Sequence, residues 1–429
     1  MNAKQTITTL RDYESRSVMF FEPDGSWPIV WERAKDVFVW DADGKKYLDL
    51  TAAFGVAAAG HANPNVVKAG QKQMAKLLHA MGDVHPHARK AELAQKFSRI
   101  TFERWGKKSG KMIFSNSGFE AVESALKTAM LATKKNGVIA FQGAYHGLGY
   151  GALNVTQRDF FRQPFQSQLR EFGRFALFPK KSADLATVEF QVRHFFRRER
   201  IGAILVEPVQ ARGGINIPPK EFLPLLRKLC DEFGALLILD EIYTGFGRTG
   251  KMFACEHSQT IPDLICLGKA LTGGFPLSAC IGRADLMDSA WPQSKGEAIH
   301  TSTFLGHPVG CAMALAQIKE IEKLNLSERS EELGKFLVKE LSKVQSSKSK
   351  IICSPRGIGL LAGIELNLPD GKPATAETFA IIKKMLRLGF ILLPEGEHGN
   401  VISFTPPLTI AKTQLAKAVK ELNNVLSHG

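Results

Sequence analysis

Six cysteines, no long apolar run and a shortage of acidic residues set the first limits on this sequence of 429 residues. Cys230, Cys255, Cys266, Cys280, Cys311 and Cys353 are scattered, form no CxxC pair and are too sparse for a disulfide scaffold. Free thiols in a reducing compartment are expected. No window approaches the roughly eighteen uncharged apolar residues of a membrane-spanning helix, so none is expected, nor any membrane partner. Met1–Thr6 has no apolar stretch behind Lys4, which argues against a secretory signal and for the cytoplasm. Asp and Glu number 42 against 56 Lys and Arg, a net charge of +14. Such a surplus raises the question of an anionic or nucleic-acid partner. It is diffuse, however. Its densest stretch, Arg158–Arg200, mixes ten basic with five acidic residues, and no zinc-finger spacing, RNP-like aromatic motif or basic tail accompanies it. A solvated basic face is the expected reading, with no nucleic acid bound. An apolar share of 44% with only 23% charged residues excludes a disordered chain.

What is present is a series of short apolar runs, each bounded by Gly, Pro or Asp. They are Lys111–Phe114, Gly137–Phe141, Ala203–Val206, Ala235–Leu239, Leu264–Leu267 and Ser278–Ile281. Their length suits strands buried on both faces. Helical stripes lie between several of them: Ala121, Ala125 and Ala129 recur at i, i+4, and Phe222, Leu225, Leu226 and Leu229 precede Ala235. Strands alternating with helices predict an α/β fold with a mostly parallel central sheet and flanking helices. Val37–Trp40 and Lys45–Leu50, joined through Asp43-Gly44, predict an N-terminal hairpin. Beyond about residue 325 a charged helix (327–344), a polar stretch (345–350), the run Leu361–Leu366, a helix near 375–388 and a last helix after Pro407 predict a smaller α+β domain. The expected division is a large domain over 61–325 and a small one built from 1–60 and 326–429, since chain ends often lie together.

Several residues could carry chemistry. Asp240 ends a buried strand at its carboxyl end, where ligands of parallel sheets bind; a turn cap is the plain alternative. Lys269, in Leu267-Gly268-Lys269-Ala270-Leu271, follows another such strand and could become a nucleophile by desolvation, or snorkel to the surface. Ser117-Gly118-Phe119-Glu120 could cradle an anion at a helix N-terminus, or form a capping box. Tyr145-His146-Gly147 could stack on a flat ligand or pack beside a turn. His85-Pro86-His87 lacks the companions of a metal site, and no metal is expected. Gly245-Phe246-Gly247-Arg248-Thr249-Gly250 fits G-x-G-x-x-G, but no helical stripe opens at its third Gly, which argues against a dinucleotide site.

Taken in order, these segments with Glu207-Pro208-Val209-Gln210, Asp240-Glu241-Ile242-Tyr243 and Thr301-Ser302-Thr303-Phe304 closely resemble the class III aminotransferases, pyridoxal-phosphate enzymes of fold type I. The resemblance runs from about residue 25 to the C-terminus. It implies pyridoxal 5'-phosphate bound covalently to Lys269, with Asp240 pairing with the pyridine nitrogen so that the ring can accept electrons. It further implies Ile242 and Tyr145 on the two ring faces and Ser117, Gly118 and Phe119 around the phosphate. His146, Glu207 and Tyr243 would stand near the ring. Thr303 would reach the phosphate of the other subunit, hence a homodimer.

Four positions depart from the family pattern. Tyr243 replaces the Gln that touches the ring hydroxyl in many relatives, and its own OH could serve instead. Leu148 stands where the ornithine branch has Arg, and Ser403 where many members place Arg. Arg212 stands where several place the Glu that pairs with that Arg. Arg212 is therefore expected either to bind a substrate carboxylate, as a planar bidentate donor can, or to form a structural ion pair. Arg158 and Arg162 are further candidates. The implied activity is transfer of an amino group from an amine or amino acid to a keto acid or aldehyde, with an ω-amino acid or diamine as donor. A racemase, epimerase or aminomutase of the same family is the alternative, and a non-enzymatic anion- or nucleic-acid-binding protein the remote one.

Overall fold

A computed structural model describes residues 1–345 and 351–428 of the chain. Its centre is a seven-stranded sheet in the spatial order Gly110–Ser115, Ser278–Arg283, Leu264–Leu267, Leu236–Asp240, Ile201–Val206, Gly137–Phe141, Gly173–Ala176. Ser278–Arg283 runs antiparallel to both its neighbours, and all other pairings are parallel. Six strands therefore point the same way, and their carboxyl ends share one edge. The expected apolar runs all become strands. Every residue of Ile201–Val206 and of Leu264–Leu267 is buried, as a sheet covered on both faces requires.

Helices cover this sheet for legible reasons. Gly118–Thr133 buries Ala121, Val122, Ala125, Leu126 and Ala129 along one stripe. Phe222–Phe233 buries Phe222, Leu223, Leu226, Leu229 and Cys230, then stops at Gly234, whose φ of 60° closes the helix in the left-handed region. Each large apolar side chain so buried contributes about 1.5–3 kcal/mol.

Near the C-terminus a second, four-stranded antiparallel sheet (Ile352–Ile358, Leu361–Asn367, Val401–Phe404, Leu393–Glu395) lies with the helices Leu326–Leu341, Thr375–Arg387 and Lys412–His428. The polar stretch expected after the first of these helices lies, from residue 346 on, outside the described residues. The N-terminal hairpin forms between Phe38–Asp41 and Lys46–Asp49. Asp41 holds its turn by accepting from the Asp43 and Lys45 amides. Phe390–Ile391 pairs in parallel with Lys46–Asp49, so residues from both ends of the chain share one sheet.

Among the elements that escaped the sequence reading are the helices Ala3–Tyr13, Pro64–Lys76, Ala88–Ser98 and Pro308–Lys323, the outer strand Trp31–Lys35 and the edge strand Gly173–Ala176. The last reads Gly-Arg-Phe-Ala, too short and mixed to show a period. The basic stretch after it contains the helix Leu185–Arg198, which buries Val188 and Val192 and turns its arginines outward. The G-x-G-x-x-G segment opens no helix. Its Arg248 is buried and donates to the carbonyls of Leu360 and Pro406, tying the C-terminal region to the end of the central sheet. The cysteines are free thiols, with Cys266 and Cys280 facing each other across antiparallel strands. No described helix is long and apolar enough to cross a membrane.

Candidate active site

The shared edge of carboxyl ends opens into a cavity of about 350 Å³, lined by Gly118, Phe119, Tyr145, His146, Gly147, Leu148, Glu207, Val209, Arg212, Asp240, Ile242, Tyr243 and Lys269. These residues come from the chain that follows five different strands. Parallel connectivity is what brings positions so distant in sequence to one rim.

Asp240 is buried. One carboxylate oxygen lies 2.7 Å from His146 Nδ1, and the other accepts the Ile242 amide at 3.1 Å. Asp240 can only accept in its ionised form, so it sets the imidazole proton on Nδ1. His146 is itself buried, and its Nε2 has no hydrogen-bond partner among the described residues. A carboxylate offers about four lone-pair directions. Two are used, which leaves Asp240 able to face a cationic donor from the cavity.

Lys269 follows the strand Leu264–Leu267 with φ of 42°, a conformation costing a non-glycine residue of order 1–2 kcal/mol. Burial lowers its pKa, opposed by the charges of Asp240 and Glu207. Glu207, next after Val206, accepts the Tyr145 amide at 3.0 Å, and burial pushes its carboxyl up to about 7.

The loop before the helix Gly118–Thr133 forms the capping box expected of it as one of two readings. Ser117 gives its amide and its hydroxyl to Glu120, at 2.7 and 2.8 Å, as a capping box does, and it does not line the cavity. Gly118 and Phe119 do line it. A Cβ on Gly118 would come within 3.1 Å of Ile242, and one on Gly147 within 2.3 Å of Phe119. Both glycines therefore keep this wall open.

Thr303 lies outside the cavity, exposed in the turn before the helix Pro308–Lys323. Arg162 also stands apart, over the Phe175 ring. Ser403 turns its hydroxyl to the Leu393 carbonyl. Leu148 lines the cavity where it is half-exposed.

Arg212 faces the cavity and lies 3.6 Å from Glu395, which is 3% exposed. That spacing is longer than a charge-assisted hydrogen bond of about 2.7–2.9 Å. Arg212 Nε and Glu395 Oε2 have no partner among the described residues. Burial raises the Glu395 carboxyl to about 6, with Arg212 and Arg158 opposing the rise. Arg158 donates to the Arg212 carbonyl and so braces the loop that carries it. The sequence reading missed Glu395. Its only signal was an acid between Pro394 and Gly396, in a strand of three residues.

Comparison with known proteins supplies the family. The family profile described as Aminotransferase class-III matches residues 21–426. The 5-aminovalerate aminotransferase of Pseudomonas aeruginosa is 38% identical over 91% of this chain and 92% of its own. The putrescine aminotransferase of Pectobacterium atrosepticum is 35% identical over 93% and 82%. Among solved structures, a transaminase from a marine Virgibacillus superposes with a TM-score of 0.89 at 26% identity, covering 98% of both chains. The acetylornithine aminotransferase of Elizabethkingia anophelis does so at 0.80 and 29%, covering 99% of both. With the family profile matched over nearly its whole length and relatives above 30% identity, the chain belongs to the class III aminotransferases.

Proposed function

We propose that this aminotransferase takes a terminal amino group from an ω-amino acid or diamine and delivers it to a keto acid or aldehyde, using pyridoxal phosphate held on Lys269. The carrying observation is that Lys269 and Asp240, 29 positions apart in sequence, line one cavity, the acid buried and the lysine half-buried. The named relatives act on 5-aminovalerate and putrescine, substrates with a terminal amine, which supports that donor class.

The residues fit the cofactor. Asp240, its orientation fixed by His146 and the Ile242 amide, would hold a proton on the pyridine nitrogen. Ile242 and Tyr145 would bracket the ring. The open wall at Gly118 and Phe119, at the N-terminus of a sixteen-residue helix, would receive the phosphate. Ser117 would add its hydroxyl by leaving Glu120. Bound there, pyridoxal phosphate supplies an electron sink for a carbanion. The chain supplies the rest. The Lys269 amine, whose pKa burial lowers, carries a proton to and from the substrate carbon. Arg212 orients a substrate carboxylate, while Glu395 covers its charge when the substrate has none. Thr303, exposed, would complete the phosphate site of a second copy, which makes the enzyme a homodimer. The compartment is the cytoplasm.

The test is a donor and acceptor panel on the purified holoenzyme beside Lys269→Ala. Keto-acid-dependent deamination of ω-amines that vanishes in the variant is expected. Turnover at full rate without the lysine, or isomerised amino acid as the sole product, would refute the reading.

A further inference from the structure

Tyr243 replaces the residue that the family uses near the cofactor ring hydroxyl, and its own hydroxyl is engaged elsewhere. It lies 3.3 Å from Thr405 Oγ1, which in turn donates to the Thr51 carbonyl at 3.2 Å. The aromatic face is what meets the reaction centre. Lys269 Nζ sits 4.6 Å from the centroid of that ring.

A strained turn packs against the same ring. Ala52, Ala53, Phe54 and Gly55 form one left-handed turn, with φ of 47°, 49°, 62° and 81°. Asp49 holds the turn by accepting from the Thr51 amide and hydroxyl and the Ala53 amide, and is itself met by His61 at 2.7 Å. Gly55 then stands so close to the ring that a Cβ there would lie 3.1 Å from Tyr243 Cε1. Three non-glycine residues in a disfavoured conformation, braced by a buried acid, hold Gly55 against the ring.

We propose that Tyr243 is a positioning residue whose aromatic face holds the Lys269 nitrogen in its cationic form and fixes its direction. A ring face attracts an ammonium through its quadrupole, most strongly where water is excluded. The charged groups around this amine are Asp240, Glu207 and Glu395, which favour the cation, and Arg212, which opposes it. Burial opposes it most. None of these groups is a hydrogen-bond partner of the Tyr243 hydroxyl, which goes to Thr405. The inference rests on Lys269 being the reactive amine.

The test follows the rate at which the cofactor-free full chain captures pyridoxal phosphate, against pH, by absorbance. A pH titration of the absorbance of the loaded holoenzyme accompanies it. Tyr243→Leu should move the capture midpoint down by about one pH unit, and Tyr243→Phe, which keeps the ring, by less than a third of that. Tyr243→Gln serves as the second ring-free variant if the leucine variant does not fold. A midpoint that stays put without the ring, or one that moves equally in the phenylalanine variant, overturns the inference. If Lys269→Ala captures the cofactor as the parent chain does, the lysine assignment itself fails, a result distinct from either.

Discussion

Replacing Arg212 separates substrate recognition from chemistry. Its guanidinium faces the cavity with 30% of the side chain exposed, so a substrate carboxylate can reach it. A charge-assisted hydrogen bond is worth about 1.5–3 kcal/mol, or roughly 10- to 150-fold in kcat/KM. Arg212→Ala should lower kcat/KM for 5-aminovalerate by that factor and leave pentylamine, the same chain without the carboxylate, within about threefold. The change also has a stability cost, because it strips Glu395 of its cation. Breaking a fully buried pair costs about 3–5 kcal/mol. Here the contact is 3.6 Å and Arg158 stays near, so the loss should fall below that range. Adding Glu395→Gln to Arg212→Ala should restore the melting temperature but not the preference for the carboxylate. Coupled-assay kinetics on the two donors and thermal denaturation of the parent chain and the two variants decide the matter. An unchanged ratio between donors, or a double variant that regains it, refutes the assignment.

Two further outcomes follow from the same site. Glu207 has its pKa raised from 4.5 to about 7 by burial, so the folded chain binds this proton more tightly than the unfolded one. Stability from this group is therefore full below about 4.5 and falls as pH rises through 7, by about 3 kcal/mol in all. Glu207→Gln should raise the melting temperature of the cofactor-free chain at pH 8 and leave it nearly unchanged at pH 4.5. Gly55→Ala places a Cβ at φ of 81° and against Tyr243, and should cost about 1–2 kcal/mol, seen as a lower denaturation midpoint.

The parallel sheet was legible because strands buried on both faces leave uninterrupted apolar runs, as Ile201–Val206 and Leu264–Leu267 do. Lys269 and Asp240 stood out as charged residues closing such runs, but position alone left a snorkelling lysine and a turn cap open, and the family resemblance singled them out. Gly173–Ala176 was not, since an edge strand of four residues with one arginine carries no periodic signal.

Chain order alone therefore determined the buried strands and the residues that stand at their carboxyl ends, since burial and turn chemistry act between near neighbours in sequence. The side-chain partnerships were decided only by the folded chain. Ser117 gives its hydrogen bonds to Glu120, His146 turns to Asp240, and Tyr243 lays its face on Lys269 while its hydroxyl goes to Thr405. Arg212 meets Glu395 across 183 positions of sequence. Such contacts depend on how two sheets and the chain's two ends come to rest against one another, and no local pattern of residues encodes a distance between segments so far apart.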